Sequence, residues 1–197
     1  TARESVLNLQ RGALEALIKT PDGLIRVYSV HLDHISPKER LLQVNALRSM
    51  AENYDQTGGA VTGAQEFGLP QNGEELGYLL LGDFNFEPGA DEYVEMTSKD
   101  MVDVSAGAPG WSWIEPNDKS KTKRLDYIFS SPLLAQKCTS PRIDQKASGS
   151  DAMTEAHCRW CKNIFADAFV AILACDFELP CFTVGFAIVI EEVFAQG

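Results

Sequence analysis

Apolar and polar residues alternate with a period of two over residues 24–32, with Ile25, Val27 and Ser29 on one side and Arg26, Tyr28 and Val30 on the other. That spacing predicts a half-buried strand. Residues 11–19 precede it, and Thr20-Pro21-Asp22-Gly23 between the two runs is turn chemistry. The pair therefore predicts a β-hairpin. After Ser36 the period changes. Leu41, Val44, Leu47 and Arg48 recur at helical spacing, as do Leu42 and Ala46. Ser36 suits the N-cap, Pro37 the first helical position and Glu39 the acidic place of a capping box. The predicted helix fades near Tyr54.

Residues 55–76 are rich in Gly, Gln and Asn and predict a long surface loop. The apolar run 77–81 predicts a buried strand ending at Gly82. A short helix is expected over 88–96, and strands over 111–113, 125–130 and 135–144. From about Ala152 the chain turns rich in Cys, Phe and Ala and loses its turn punctuation. The predicted division is a domain over 1–151 and a divergent apolar segment over 152–197.

Composition narrows the function. Hydrophobic residues make up 45% of the 197, an ordinary value for a globular core. The net charge is −11, from 28 acidic and 17 basic residues. That balance disfavours a protein that grips nucleic acid through a basic surface, because phosphate neutralisation needs Lys and Arg. It is compatible with a phosphorylated substrate reached through a divalent cation, since the metal supplies positive charge. Thr1 opens the chain in place of Met, which reads as a fragment or a processed chain. No signal-peptide pattern is visible. The apolar stretches 168–175 and 181–190 fall short of the roughly 20 residues a span needs. A soluble chain with no membrane span is expected, with the cytoplasm as the preferred compartment. His157, Cys158, Cys161, Cys175 and Cys181 raise a zinc site, but the second pair is spaced by five residues, and buried cysteines acting as small hydrophobes are the preferred reading.

Four segments set polar residues at the end of an apolar run. In Gly82-Asp83-Phe84-Asn85, Asp83 and Asn85 share a face because extended side chains repeat every two residues. A carboxylate beside an amide can orient a water and donate to a phosphoryl oxygen, although Gly-Asp and Asn also make ordinary turns. His31 closes Ser29-Val30-His31 and can donate to a phosphate or a leaving group; a satisfied, partly buried His is the plainer alternative. Asp126 lies among apolar residues in Arg124-Leu125-Asp126-Tyr127. Its burial would be costly without a partner, either a His to orient or an ion pair with Arg124 or a neighbouring Lys. Asp151, in Gly149-Ser150-Asp151, is by itself a loop carboxylate.

The order of these motifs over residues 11–151 resembles the endonuclease/exonuclease/phosphatase superfamily, which includes DNase I-like nucleases, sphingomyelinases and inositol phosphatases. The resemblance implies an α+β fold, a partial four-layer α/β/β/α sandwich of the DNase I-like type. It also implies a divalent-metal-dependent phosphoester hydrolase, a phosphodiesterase or phosphatase, using Mg²⁺ or Mn²⁺. By resemblance Asp83 activates the attacking water, Asn85 binds the scissile phosphate, His31 contacts the phosphate or leaving group, and Asp126 orients a catalytic His. Asp151, with Asp83, holds the metal. The substrate would be a phosphorylated small molecule, a lipid or nucleic acid.

The pattern breaks in two places. Ala152 stands where the family has the His of its Ser-Asp-His motif, and His157 is offset by several residues. The family's N-terminal Asn and metal-binding Glu should precede Arg11 by many residues, and Gln65-Glu66 is out of order. The expected enzyme is therefore truncated and weakened, the alternative being an inactive remnant that serves as a binding or interaction module. Half a sandwich would expose an apolar sheet face, which predicts self-association or cover by the apolar tail.

Overall fold

The computed structural model describes residues 11–20, 23–54, 75–144, 153–158 and 190–191. The expected hairpin forms from β1 (Ala13–Thr20) and β2 (Gly23–His31), paired antiparallel from Ala13↔Val30 to Thr20↔Gly23. Helix α1 (Pro37–Glu52) starts where its cap residues place it. Ser36 is the N-cap, and its Oγ accepts from the Glu39 N–H at 3.4 Å. Strand β3 (Glu75–Asp83) runs parallel to β2 and carries two residues at each end beyond the expected 77–81. Helix α2 (Asp91–Met96) follows, then β4 (Val102–Asp103), β5 (Trp113–Glu115), β6 (Asp118–Lys123) and β7 (Asp126–Ser130). A short α3 (Pro132–Ala135) precedes β8 (Cys138–Asp144), β9 (Met153–Cys158) and β10 (Ile190–Glu191).

Six strands form one mixed sheet in the order β10-β1-β2-β3-β7-β4. β5 pairs with β6, and β8 with β9, in two further ladders. The class is α+β, as the resemblance implies. The β2–β3 connection is a parallel crossover through α1, so α1 lies on one face of the sheet. Val44, Leu47 and Ala51 of α1 pack there with Tyr28, Val30, Leu80, Tyr127 and Phe129. Ile18, Ile25, Val27, Leu79, Leu81 and Ile128 form a second buried cluster on the opposite face, with Leu134 of α3. Among the described residues these side chains are buried.

Several local readings need correction. The strand near the tryptophans begins at Trp113, so Trp111 precedes it and packs instead against Ala108 and Ile143. The run from 135 starts inside a helical turn, because Ser131-Pro132 repeats the cap-and-proline signal of Ser36-Pro37. β6 is a polar, mostly exposed edge of its ladder and carries no apolar alternation to reveal it. Residues 55–74, with Gln65 and Glu66, lie outside the described residues, as do Cys161, Cys175 and Cys181. No helix among the described residues is long and apolar enough to cross a membrane.

Candidate active site

The site is built from three adjacent strand ends. In register, His31 of β2 pairs with Asp83 of β3, and Asp83 pairs with Asp126 of β7. Three chemistry-bearing residues thus stand in one row across the sheet. Residues two apart share a face. His31, Asp83 and Asp126 therefore stand over Val27, Leu81 and Ile128, on the face away from α1. Those apolar neighbours are buried, whereas His31 is 58% exposed and Asp83 34%. The row is the point where the core gives way to solvent. His31 Nε2 lies 3.6 Å from Asp83 Oδ2.

The same alternation anchors the motif. Phe84 and Phe86 point into the core while Asp83 and Asn85 do not. Phe84 meets Phe129 edge-on at 5.0 Å between centroids, and Phe86 tilts on Tyr127 at 5.2 Å. Such pairs contribute about 0.5–1.5 kcal/mol each beyond the area they bury. The Tyr127 hydroxyl donates to the carbonyls of Phe86 and Arg124, both at 2.9 Å. It thereby stitches the segment of Asp83 and Asn85 to that of Asp126.

Asp83 Oδ1 accepts from the Asn85 N–H at 2.8 Å, and Asn85 Nδ2 donates to the Leu32 carbonyl at 3.0 Å. Asn85 has a φ of 54°, a left-handed conformation that Asn tolerates better than most residues. Its amide is thus held beside the carboxylate and tied to the strand of His31. Burial lowers the pKa of His31 from its ordinary value. The Asp83 carboxylate opposes that shift, and Arg11 and His34 add to it.

Arg124 does not pair with Asp126, the plain structural reading of that segment. It donates to Asp103 at 3.1 Å and to Ser105 Oγ at 2.7 Å. The backbone of Asp126 is held by Ser112. Ser112, fully buried, accepts at Oγ from the Leu125 N–H at 2.9 Å and the Asp126 N–H at 3.0 Å. Ser112 is a positioning residue that sequence reasoning missed, because the flanking tryptophans carried the stronger signal. We expect Ser112→Ala to leave two shielded N–H groups without their acceptor and to lower stability by about 2 kcal/mol. Urea unfolding measures this.

Asp33 was also missed. Its Oδ1 accepts from the Ile35 and Ser36 N–H groups at 2.7 and 2.6 Å, and its own N–H donates to Gln43 Oε1 at 2.9 Å. This fixes the loop between His31 and α1; an Asp three residues before a Ser-Pro helix start was the available signal. Asp151 and Ala152 lie outside the described residues. The backbone of His157 sits on β9 opposite Thr139 of β8.

Among the described residues no three His, Cys, Asp or Glu converge to hold a metal. Asp83 and Asp126 bring two carboxylates to the row, and Asn85 beside it an amide, the oxygen donors that hard divalent cations take.

Comparison with known proteins bears on the fold and the family. No curated protein matches the chain. Among solved structures, the 3′ phosphatase NExo from Neisseria, bound to a product DNA hairpin, superposes with a TM-score of 0.54 at 15% identity, covering 78% of this chain and 66% of its own. The AP endonuclease LMAP from Leishmania major gives 0.52 at 13% identity, with 72% and 52% covered. An endonuclease/exonuclease/phosphatase family protein from Leptotrichia buccalis gives 0.50 at 17%, with 73% and 51% covered. The chain spans about half to two thirds of the length of these structures. At such identities the likeness is one of fold. Residues 28–151 also match a family by sequence, and they contain the whole His31–Asp83–Asp126 row. The chain belongs to the Endonuclease/Exonuclease/phosphatase family.

Proposed function

We propose that the chain is a divalent-metal-dependent phosphoester hydrolase and that the His31–Asp83–Asp126 row, with Asn85, is its reaction centre. The alignment of these residues in one register row at the sheet rim carries the reading. Membership of a family whose name joins three phosphoester-cleaving activities supports it.

In this mechanism Asp83 takes a proton from the attacking water. Its half-exposed carboxylate has one oxygen committed to the Asn85 N–H and the other turned toward His31. Asn85 Nδ2 uses one hydrogen on Leu32 and offers the second to a phosphoryl oxygen. His31 donates to a phosphoryl or leaving-group oxygen, and Asp126 has the place of the carboxylate that orients a catalytic His, a position this chain fills with Ala152. Asp83, with Asp151, would hold Mg²⁺ or Mn²⁺, and the cation would neutralise charge building on the phosphoryl oxygens. The substrate is a phosphorylated small molecule, a lipid or a nucleic acid; the acidic balance of the chain favours the first two.

The test is hydrolysis of an aryl phosphomonoester and a bis-aryl phosphodiester with added Mg²⁺ or Mn²⁺. We expect product that a chelator abolishes and excess Mg²⁺ restores. No product at any metal concentration would favour an inactive remnant that keeps the fold as an interaction module.

A further inference from the structure

We infer that Cys138 and Cys158 are a redox-reactive pair, and that a reversible disulfide between them fastens β9 to β8. This goes beyond the hydrolase reading and does not depend on it.

Register brings the two cysteines together. β8 and β9 run antiparallel, and Cys138 and Cys158 are direct cross-strand partners, next to the Thr139–His157 pair. Directly opposed Cα atoms of an antiparallel ladder stand about 4.5 or 5.5 Å apart, depending on whether the pair is hydrogen-bonded. A disulfide spans about 4.4–6.8 Å between Cα atoms. Either kind of pair therefore meets the requirement without backbone movement. Opposed residues also share a face of the ladder. The plainer role for a cysteine is a small hydrophobe in a core. Cys138 does not fit it, because it is only half-buried. Its Sγ donates to the Leu134 carbonyl at 3.6 Å. A thiol placed so stays within reach of an oxidant and, once linked, of a reductant.

The two strands are held unequally. β8 follows α3, whose Leu134 belongs to a buried cluster, and Ile143 of β8 packs with Ala108 and Trp111. Among the described residues β9 is laddered to β8 alone. The link thus ties a strand held by one ladder to a strand held by the core. It closes a loop of about 20 residues and so removes entropy from the opened states.

The oxidant is of the peroxide class. One thiolate attacks a peroxide oxygen, the O–O bond breaks and hydroxide leaves, giving a sulfenic acid. The other thiolate attacks that sulfur, so S–S forms, S–O breaks and a second hydroxide leaves. The two thiol protons convert both hydroxides to water. Two thiols lose two electrons, and one hydrogen peroxide is reduced. A dithiol reverses the link by exchange.

Trypsin places Cys138, Cys158 and Cys161 in separate peptides, 138–142, 147–159 and 160–162, and leaves Cys175 and Cys181 together in 163–197. The whole chain is treated with hydrogen peroxide, natively and in urea, then alkylated, digested and weighed by mass spectrometry. In the native protein, peptide 138–142 linked to 147–159 should account for most of the disulfide at Cys158 and vanish with dithiothreitol. In urea the register is lost, and Cys158 should turn to nearby Cys161, since a shorter loop closes more readily. Amide exchange in β9 should be about 10-fold slower or more in the linked chain than in the reduced chain or in Cys138→Ser. Native linkage of Cys158 chiefly to another cysteine would overturn the inference. So would both thiols staying open to alkylation after peroxide, the same pairing in urea, or equal exchange of β9 in both states.

Discussion

Asp83→Ala is expected to reduce the rate of phosphoester hydrolysis by roughly 10²–10⁴-fold while leaving the protein folded, the range commonly lost when a general base is removed. The carboxylate stands in the middle of the row, between His31 and Asp126 in register, and so adjoins every other group that would contact substrate. The structural cost should be small by comparison. Asp83 is partly exposed, and the backbone bond its carboxylate receives from Asn85 contributes about 1 kcal/mol. Asp83→Asn separates the two effects. It keeps an acceptor for the Asn85 N–H and removes the charge that draws the proton from water. Steady-state rates and thermal melts of the two variants check this: the account requires similar activity losses and a smaller melting shift for Asn. A variant that keeps wild-type activity would remove Asp83 from the chemistry.

Gly82→Ala is expected to be the most destabilising of the small substitutions near the site. Gly82 has a φ of +136°, and a Cβ built there falls 2.0 Å from the Val30 carbonyl oxygen. That oxygen is backbone, and Val30 is locked between Ala13 of β1 and Gly82 of β3. The clash cannot be relieved by a rotamer change, so β3 must move off β2 where Asp83 meets His31. Overpacking costs about 1–3 kcal/mol and backbone strain about as much again. The sum corresponds to a fall in melting temperature on the order of 10 °C for a chain of this size. Gly89→Ala is the control. Its φ is +88°, yet nothing lies within 4 Å of the added Cβ. It should therefore cost only the strain, and a melt as low as that of Gly82→Ala would contradict the steric argument.

Much of the fold could be read from local signals, and particular residues show why. Ser36-Pro37 marks the start of α1 because both residues act on their own turn, through a side-chain acceptor and a fixed φ. The Pro-Asp-Gly hairpin and the apolar run before Asp83 are equally local. His31, Asp83 and Asn85 were legible as candidates because each ends an apolar run. Their assembly into one row was not, because it depends on a parallel β2–β3 register that no local pattern encodes.

Ser112 was hidden for the same reason. Ser112 reaches Asp126 across 14 residues of sequence. The partner of Arg124 was not legible, because Asp103, which its guanidinium meets, lies 21 residues away in sequence. β6 was missed because Asp118–Lys123 is a polar run whose pairing with β5 gives it shape but little burial.

The central claim is that phosphoester chemistry takes place at the row formed by His31, Asp83 and Asp126. A crystal of the protein grown with Mn²⁺ and inorganic phosphate tests it most directly, through the anomalous signal of the metal. The account predicts an anomalous peak at coordination distance from the Asp83 carboxylate, with phosphate oxygens within hydrogen-bond reach of Asn85 and His31. Metal and phosphate bound away from this row, or bound nowhere at millimolar concentrations of both, would contradict it.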